Sequence, residues 1–453
     1  MSSSAPQQSP DFPPELLELI FSYLLADFEL ELIHACTLVS RAFHNAAQCF
    51  LYTHASFRHP RYCQLNTAGF LRFRNTVTAQ RYGETIQSLS YSLNPQYLVD
   101  LLPHLTRLRS LNMSALHEDY HILTRRQPGQ LVNALRNVFA QPNFRALKIS
   151  GYYIEDGFNT LNYLLKDARW LEQLALSQLK VIRHYPKEPT ASKGHDQIHL
   201  KSLSIGFPFP PRRDDPQHWS ARTLTGYWLA DYFGLRLSAV SLKRLEDLTV
   251  VNGGIFEMRR LIGAVGPALR RLKLEGNVHV DSVQMPRRLN GVVFDDWIKM
   301  KSYSRLTSLS LDFRGNVYGE DYKDMKLMLR WLTNIVAPAL PQRMPKLQNL
   351  LLKFRIHTLR IKPHVCRKNY RCREDDPRDG LGYWSRLGLM LNRCDDLEML
   401  RIEIDSVSYY GLSISKRSEF TRMIEGAVLN NGLPYAGYRV EVDLRDSLDT
   451  SPV

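Results

Sequence analysis

The sequence predicts an α/β solenoid, a bent and irregular stack of strand–helix units, preceded by a small all-α bundle. Three observations lead there. A Leu-x-x-Leu-x-Leu pattern recurs ten times after residue 80. Stretches with helical apolar spacing fall in nearly every gap between copies. The first 60 residues differ in kind, with helical periodicity and a net charge opposite to the rest. A length of 453 residues suits a small domain plus one elongated repeat region. Hydrophobic side chains make up 44% and charged ones 23%, an ordinary globular balance.

Residues 1–10 form a Ser/Pro/Gln tail, expected to be disordered, with no basic stretch or apolar run of a secretory signal. Residues 11–55 are expected to be a helical domain. Pro13 and Pro14 open a helix, and Glu15 sits in its first turn, where the helix dipole favours an acid. Leu16, Leu19, Ile20, Tyr23 and Leu24 recur at helical spacing and make one apolar face. Leu17, Phe21 and Leu25 make the other side apolar too. Such a helix must be covered on two sides, and a bundle of about 40 residues cannot do that alone. Docking on another protein is therefore expected. The block Leu38-Val39-Ser40-Arg41-Ala42-Phe43 follows.

The pattern of Pro14, Glu15, Leu16, Ile20, Leu24, Val39, Ser40, Arg41 and Phe43 resembles the F-box, with Phe12 standing where that family usually has leucine. The resemblance covers about a tenth of the chain. It implies a Skp-type adaptor, and through it a cullin, as partners. The implied adaptor-binding residues are Pro13, Pro14, Glu15, Leu16, Leu19, Ile20, Leu24, Leu38, Val39, Ser40 and Phe43.

Residues 56–80 read as a linker into the solenoid, which is expected over 81–445, with a loose tail at 446–453. The repeat copies start at Ile86, Leu108, Phe144, Leu171, Leu200, Leu245, Leu269, Leu306, Leu347 and Leu397. The last two apolar positions of each copy lie two apart, as a strand with one buried face requires. The first lies three earlier and is expected to plug the turn into the strand. Helical spacing appears at Tyr97–Leu105, Phe158–Leu165, Met325–Val336 and Phe420–Val428. Tyr438, Val440, Val442 and Leu444 alternate as a last strand. Strand then helix, repeated, is the mark of a leucine-rich-repeat-like horseshoe. The spacing is irregular, from 22 to 50 residues between starts, and insertions are expected at 183–218 and 353–380.

Charge divides the chain. Residues 1–60 hold two basic and six acidic side chains, whereas the rest holds 57 basic against 39 acidic, a net +18. That field favours an acidic partner. From Lys353 to Arg373 there are eight Lys/Arg and no acid. Lys362, Arg367, Lys368, Tyr370, Arg371 and Arg373 are therefore candidate substrate contacts, suited to an acidic or phosphorylated target.

No phosphate-binding loop, nucleophile elbow or metalloprotease helix occurs. His357, His364, Cys366 and Cys372 are too widely spaced for a structural zinc site, so neither metal nor cofactor is expected. Six scattered cysteines read as reduced thiols, which points to cytoplasm or nucleus. No membrane segment is expected. The F-box resemblance implies a non-catalytic receptor of an SCF-type, cullin-based ubiquitin ligase, holding an unknown protein substrate on its repeats. The alternative is a non-catalytic scaffold or nucleic-acid-binding solenoid with a basic surface; nucleic acid is not the expected partner.

Overall fold

A computed structural model describes residues 13, 16–17, 19–21, 30–57, 71–75, 77, 82–92, 97–115, 122–123, 130–155, 157–181, 197–207, 229, 232–233, 238–251, 261–275, 303–314, 329, 332–333, 337–356, 377–406, 422 and 438–446. The chain divides into two compact units. Unit 1 is Met1–Leu171 with Ile182–Tyr185, and unit 2 is Glu172–Val181 with Pro186–Val453.

Unit 1 is built on four parallel strands in chain order: β1 (His54–Phe57), β2 (Ser88–Tyr91), β3 (Ser110–Ser114) and β4 (Ala146–Ser150). Parallel neighbours need crossovers. Its helices include α1 (Leu30–Cys36), α2 (Arg41–Thr53), α3 (Leu98–Leu101, continued by a tighter turn to His104), α4 (Gln130–Phe139) and α5 (Gly157–Leu165). Ala55, Leu89, Leu111 and Leu147 stand in register across the four strands, all buried. Phe57, Tyr91, Met113 and Ile149 form the next row. The α4 ring Phe139 stacks on Phe144, the plugging residue of the following copy, with centroids 5.0 Å apart. Gly151 follows β4 at φ +78°, and a Cβ there would come within 2.7 Å of the Ala115 carbonyl oxygen. Only glycine fits that left-handed, crowded exit.

Unit 2 repeats the plan with eight parallel strands: β5 (Gln173–Ser177), β6 (Ser202–Gly206), β7 (Asp247–Val251), β8 (Arg271–Glu275), β9 (Ser308–Arg314), β10 (Asn349–Ile356), β11 (Met399–Ser406) and β12 (Arg439–Asp446). The row Leu174, Leu203, Leu248, Leu272, Leu309, Leu350, Leu400 and Val440 crosses all eight in register. The long strands add a third inward row, in which Phe313 stacks on Phe354 at 5.2 Å. Phe354 meets Trp384 of α7 (Pro377–Leu391) edge-on at 5.7 Å. A further short helix, α6 (Ala337–Arg343), precedes β10.

The plugging role of the first apolar position has a geometric basis. Leu108, Phe144, Leu171, Leu245, Leu306, Leu347 and Leu397 each donate their N–H to the carbonyl three residues back, at 3.0–3.3 Å. The chain thus turns tightly into each strand. The six leucines Leu108, Leu200, Leu245, Leu269, Leu306 and Leu347 retain no exposed surface.

All ten copies become strands β2 to β11, and the alternation after Tyr438 becomes β12. Each unit is thus an α/β stack of leucine-rich-repeat-like units. Several details differ from expectation. The sheet starts earlier, at His54, where the end of the helical domain and a linker were expected. β1 lacks the leucine pattern and is recognisable only by its pairing with β2. The insertion at 353–380 is shorter than expected, because β10 runs to Ile356 and α7 begins at Pro377. The solenoid's last strand reaches Asp446, where the tail was expected. Of the helical stretch 325–336, Leu329 and Leu332 are buried as expected, and the stretch Phe420–Val428 lies outside the described residues apart from Arg422.

Two predictions follow from this packing. Leu272→Ala removes a fully enclosed side chain from the middle of the unit 2 row and should cost about 2–5 kcal/mol in a urea melt. Alkali should also unfold the last repeat of unit 2. Burial, then the neighbouring Cys394, pushes the Tyr438 phenol up to about 12, and burial, then Asp395, pushes the Cys394 thiol up to about 11. Raised values mean the folded chain holds these protons more tightly. Their contribution is full below the ordinary values near 9 and 10 and is lost as pH rises through about 11 and 12. Tyr438→Phe should flatten the loss of stability between about pH 10 and 12, read by circular dichroism.

Candidate functional site

The N-terminal helices sort their apolar residues into two sets. Leu16, Leu17 and Leu19–Phe21 are helical, entered by a turn in which the Pro13 carbonyl accepts the Leu16 and Leu17 N–H groups at 3.0 and 3.2 Å. Leu17 and Phe21 point inward and join Ile33 of α1 and Ala47 of α2 in a closed cluster. Cys36, Phe43 and Ala46 pack against it, and the Phe43 ring meets Phe21 edge-on at 6.2 Å. Leu16, Leu19 and Ile20 point outward, 46%, 51% and 39% exposed. Leu38 and Val39, in the turn between α1 and α2, are 87% and 66% exposed, and Leu32 is 48% exposed.

Six large aliphatic side chains left in water on so small a bundle is unusual. Single exposed leucines are normal; a set of six on one small bundle makes this face the candidate site. The turn that presents two of them is held firmly. Leu38 and Val39 N–H groups bond the Ala35 and Cys36 carbonyls at 3.1 Å. Ser40 has an extended backbone, φ −158° and ψ 169°, and its Oγ accepts the Phe43 N–H at 3.3 Å, capping α2. Ser40 therefore has a local duty whatever docks beside it.

Of the residues expected to bind an adaptor, Pro13, Leu16, Leu19, Ile20, Leu38, Val39 and Ser40 are exposed. Phe43 is half-buried and serves mainly the cluster beneath. Pro14, Glu15 and Leu24 lie outside the described residues, as do Lys362, Arg367, Lys368, Tyr370, Arg371 and Arg373. Sequence reasoning missed Leu32, although it lies one residue before the inward Ile33, a spacing that puts the two on different sides of α1.

The outward face of the unit 2 sheet is polar. Ser202, Asp247, Thr249, Arg271, Lys273, Ser308 and Ser310 line a shallow depression of about 330 Å³. Asp247 pairs with Arg271 across β7 and β8. Further along, Lys353 and Arg401 bind the Glu403 carboxylate at 3.2 and 3.0 Å, and Arg401 also reaches Asp443 at 3.6 Å. Glu403 is nearly enclosed, and an enclosed carboxylate needs such partners. The exposed pairs contribute little stability and mainly order the face.

The Cys394 thiol, raised to about 11 by burial, stays protonated near neutral pH and is a poor nucleophile. Among the described residues no cluster of metal-binding side chains occurs, and no helix is long and apolar enough to cross a membrane.

No family model matches the chain, and no curated protein matches it. Among solved structures it is similar to an internalin from Listeria monocytogenes, a leucine-rich-repeat protein, at 13% identity and a TM-score of 0.26, over 81% of this chain and 84% of that one. A TM-score that low carries no argument. The leucine-rich-repeat-like character of the chain rests on its own strand register and plugging leucines.

The cap and the exposed turn make different demands on stability. Ser40→Ala should cost about 1 kcal/mol through the lost cap. Leu38→Ser should leave the thermal melt of the same protein within about 0.5 kcal/mol, because Leu38 touches little.

Proposed function

We propose that this chain is a non-catalytic substrate receptor of a cullin-based ubiquitin ligase. Its N-terminal helices dock a Skp-type adaptor, and its repeats hold a target protein. One observation carries the reading: Leu16, Leu19, Ile20, Leu32, Leu38 and Val39 are exposed on a bundle whose core is already closed by Leu17, Phe21, Ile33 and Ala47. The F-box resemblance of the same segment supports it. A partner covering that face would bury about 1,600 Å² in total, an ordinary size for a specific complex. The receptor does no covalent chemistry. It raises the local concentration of its target beside a ubiquitin-loaded enzyme carried elsewhere in the complex. Such an assembly works in cytoplasm or nucleus. The cationic stretch from Lys362 to Arg373 is the proposed contact for an acidic or phosphorylated target.

The surplus of cations beyond residue 60 favours a second reading, a nucleic-acid-binding scaffold. The two are separated by one pair of measurements. Leu19→Asp with Ile20→Asp should abolish co-purification with the adaptor and leave the circular dichroism melt unchanged. Undiminished adaptor binding by that double variant would falsify the receptor reading. Tight binding of RNA or DNA that weakens steeply with salt favours the scaffold.

A further inference from the structure

The last strand of unit 2, β12, pairs with β11 over all its 8 residues. Its core side is not closed like the others. Every leucine before Val440 in its row retains at most 3% of its surface, and Ile402, the neighbour of Val442, retains none. Val440 and Val442 are only half-buried. The first strand of unit 1 shows how the chain covers such a strand by itself: Phe57 of β1 packs on Phe73 with ring centroids 4.7 Å apart.

The main chain of β12 is half used. In these parallel pairs the outward residues bond back to the previous strand and the inward residues bond forward to the next. Ser92 donates its N–H back to the Phe57 carbonyl at 2.9 Å. Ala115 and Phe207 donate forward to the Ser150 and Val251 carbonyls, both at 2.8 Å. Arg439 reaches back to the Glu398 carbonyl at 2.8 Å. The N–H and C=O groups of Val440 and Val442 therefore face forward, off the edge of the sheet. The Tyr438 carbonyl holds the place that Glu398 holds one strand earlier, where the following strand bonds. Among the described residues nothing bonds these forward groups. A row of unused strand bonds beside half-buried aliphatic groups is a template for another strand.

We propose that β12 takes up an extended segment of another protein as a further parallel strand, with aliphatic side chains beside Val440 and Val442 and cationic ones beside Glu441 and Asp443. Strand addition draws affinity from main-chain bonds and selectivity from alternate side chains. Charge fixes the second half of that chemistry. Across this sheet the register brings unlike charges together, Asp247 with Arg271 and Lys353 with Glu403. Continued by one strand, it sets the polar residues of the newcomer beside Glu441 and Asp443, whose side chains remain 31% and 40% exposed. A second copy of this chain fits worse. A two-fold axis pairs β12 with itself antiparallel, and centred on Val442 that pairing sets Glu441 opposite Asp443, like beside like. The proposal goes beyond the adaptor reading and stands without it.

The test uses the full-length chain and a fluorescein-labelled peptide, Glu-Val-Lys-Val-Lys-Val-Glu, titrated by anisotropy at about 150 mM salt. Parallel pairing aims the main-chain N–H groups of the peptide's lysines at β12 and those of its valines away. Methylating the lysine main-chain nitrogens should weaken binding at least about tenfold, whereas methylating those of the valines should leave it within about twofold. Val442→Pro removes one forward N–H and leaves the bonds to β11 in place, a change that an edge strand tolerates. It should weaken binding by about tenfold while the circular dichroism melt stays that of a folded chain. If that variant unfolds, the methylated peptides decide alone. The proposal fails if a peptide of the same composition without alternation, Glu-Lys-Val-Val-Val-Lys-Glu, binds as tightly, or if lysine methylation changes nothing. It fails equally if valine methylation alone blocks binding, the mark of an antiparallel strand. It fails as well if the chain sediments as a dimer that Val442→Pro dissociates, since a second copy then fills the edge.

Discussion

One hydrogen-bonded joint recurs through both units. The carbonyl one residue past the plugging position accepts two N–H groups from the next copy. Arg109 receives those of Arg145 and Ala146, Lys201 those of Glu246 and Asp247, and Gln348 those of Glu398 and Met399. A parallel strand cannot close its hydrogen bonds with a local hairpin, so register has to be set where the strand begins. A slip of one residue would turn every leucine of a strand to the solvent side. The shared carbonyl blocks that slip, and the plug beside it anchors the turn in the core. Everything further along each strand, inward rows and outward rows alike, inherits its position from this joint.

The joint also explains which parts of the fold the sequence revealed. A leucine plug, two free positions and an alternating pair are all local demands, so each copy is legible at single-residue level. Ten strands were read from that pattern for this reason. β1 was not, because His54–Phe57 has neither plug nor leucine and is a strand only because β2 is beside it. The helices were less legible. Once the plug is fixed, a crossover need only bury a few apolar groups against its neighbours. α3 does so with four residues and α4 with ten, Gln130–Phe139. α6 contains Pro341 and α7 opens on Pro377 amid Arg378, Asp379 and Gly380. Propensity argues against both, and packing of residues such as Leu340 and Trp384 overrides it.

The N-terminal face was half legible. Periodicity showed that the first helix is apolar nearly all round, and hence that it needs cover on two sides. It could not say which side the protein itself covers. That depends on partners distant in sequence: Ile33 and Ala47 claim Leu17 and Phe21, which leaves Leu16, Leu19 and Ile20 outside. The same packing gives Phe43 and Ser40 internal duties that a motif read as a contact list hides. Phe43 sits against the cluster, and Ser40 caps α2. The outward aliphatic groups take no part in that cluster and stay exposed.

Charge orders the outward face of unit 2. Its ions pair as the strands stack, because a joint that fixes register also brings position to position. Asp247 meets Arg271, Glu246 meets Arg270, and Lys353 meets Glu403. The exposed pairs gain little stability. Lys353 and Glu403 are nearly enclosed, and there a missing partner would leave a buried charge uncompensated. The joint that places the leucines inward therefore also decides which ions meet outside.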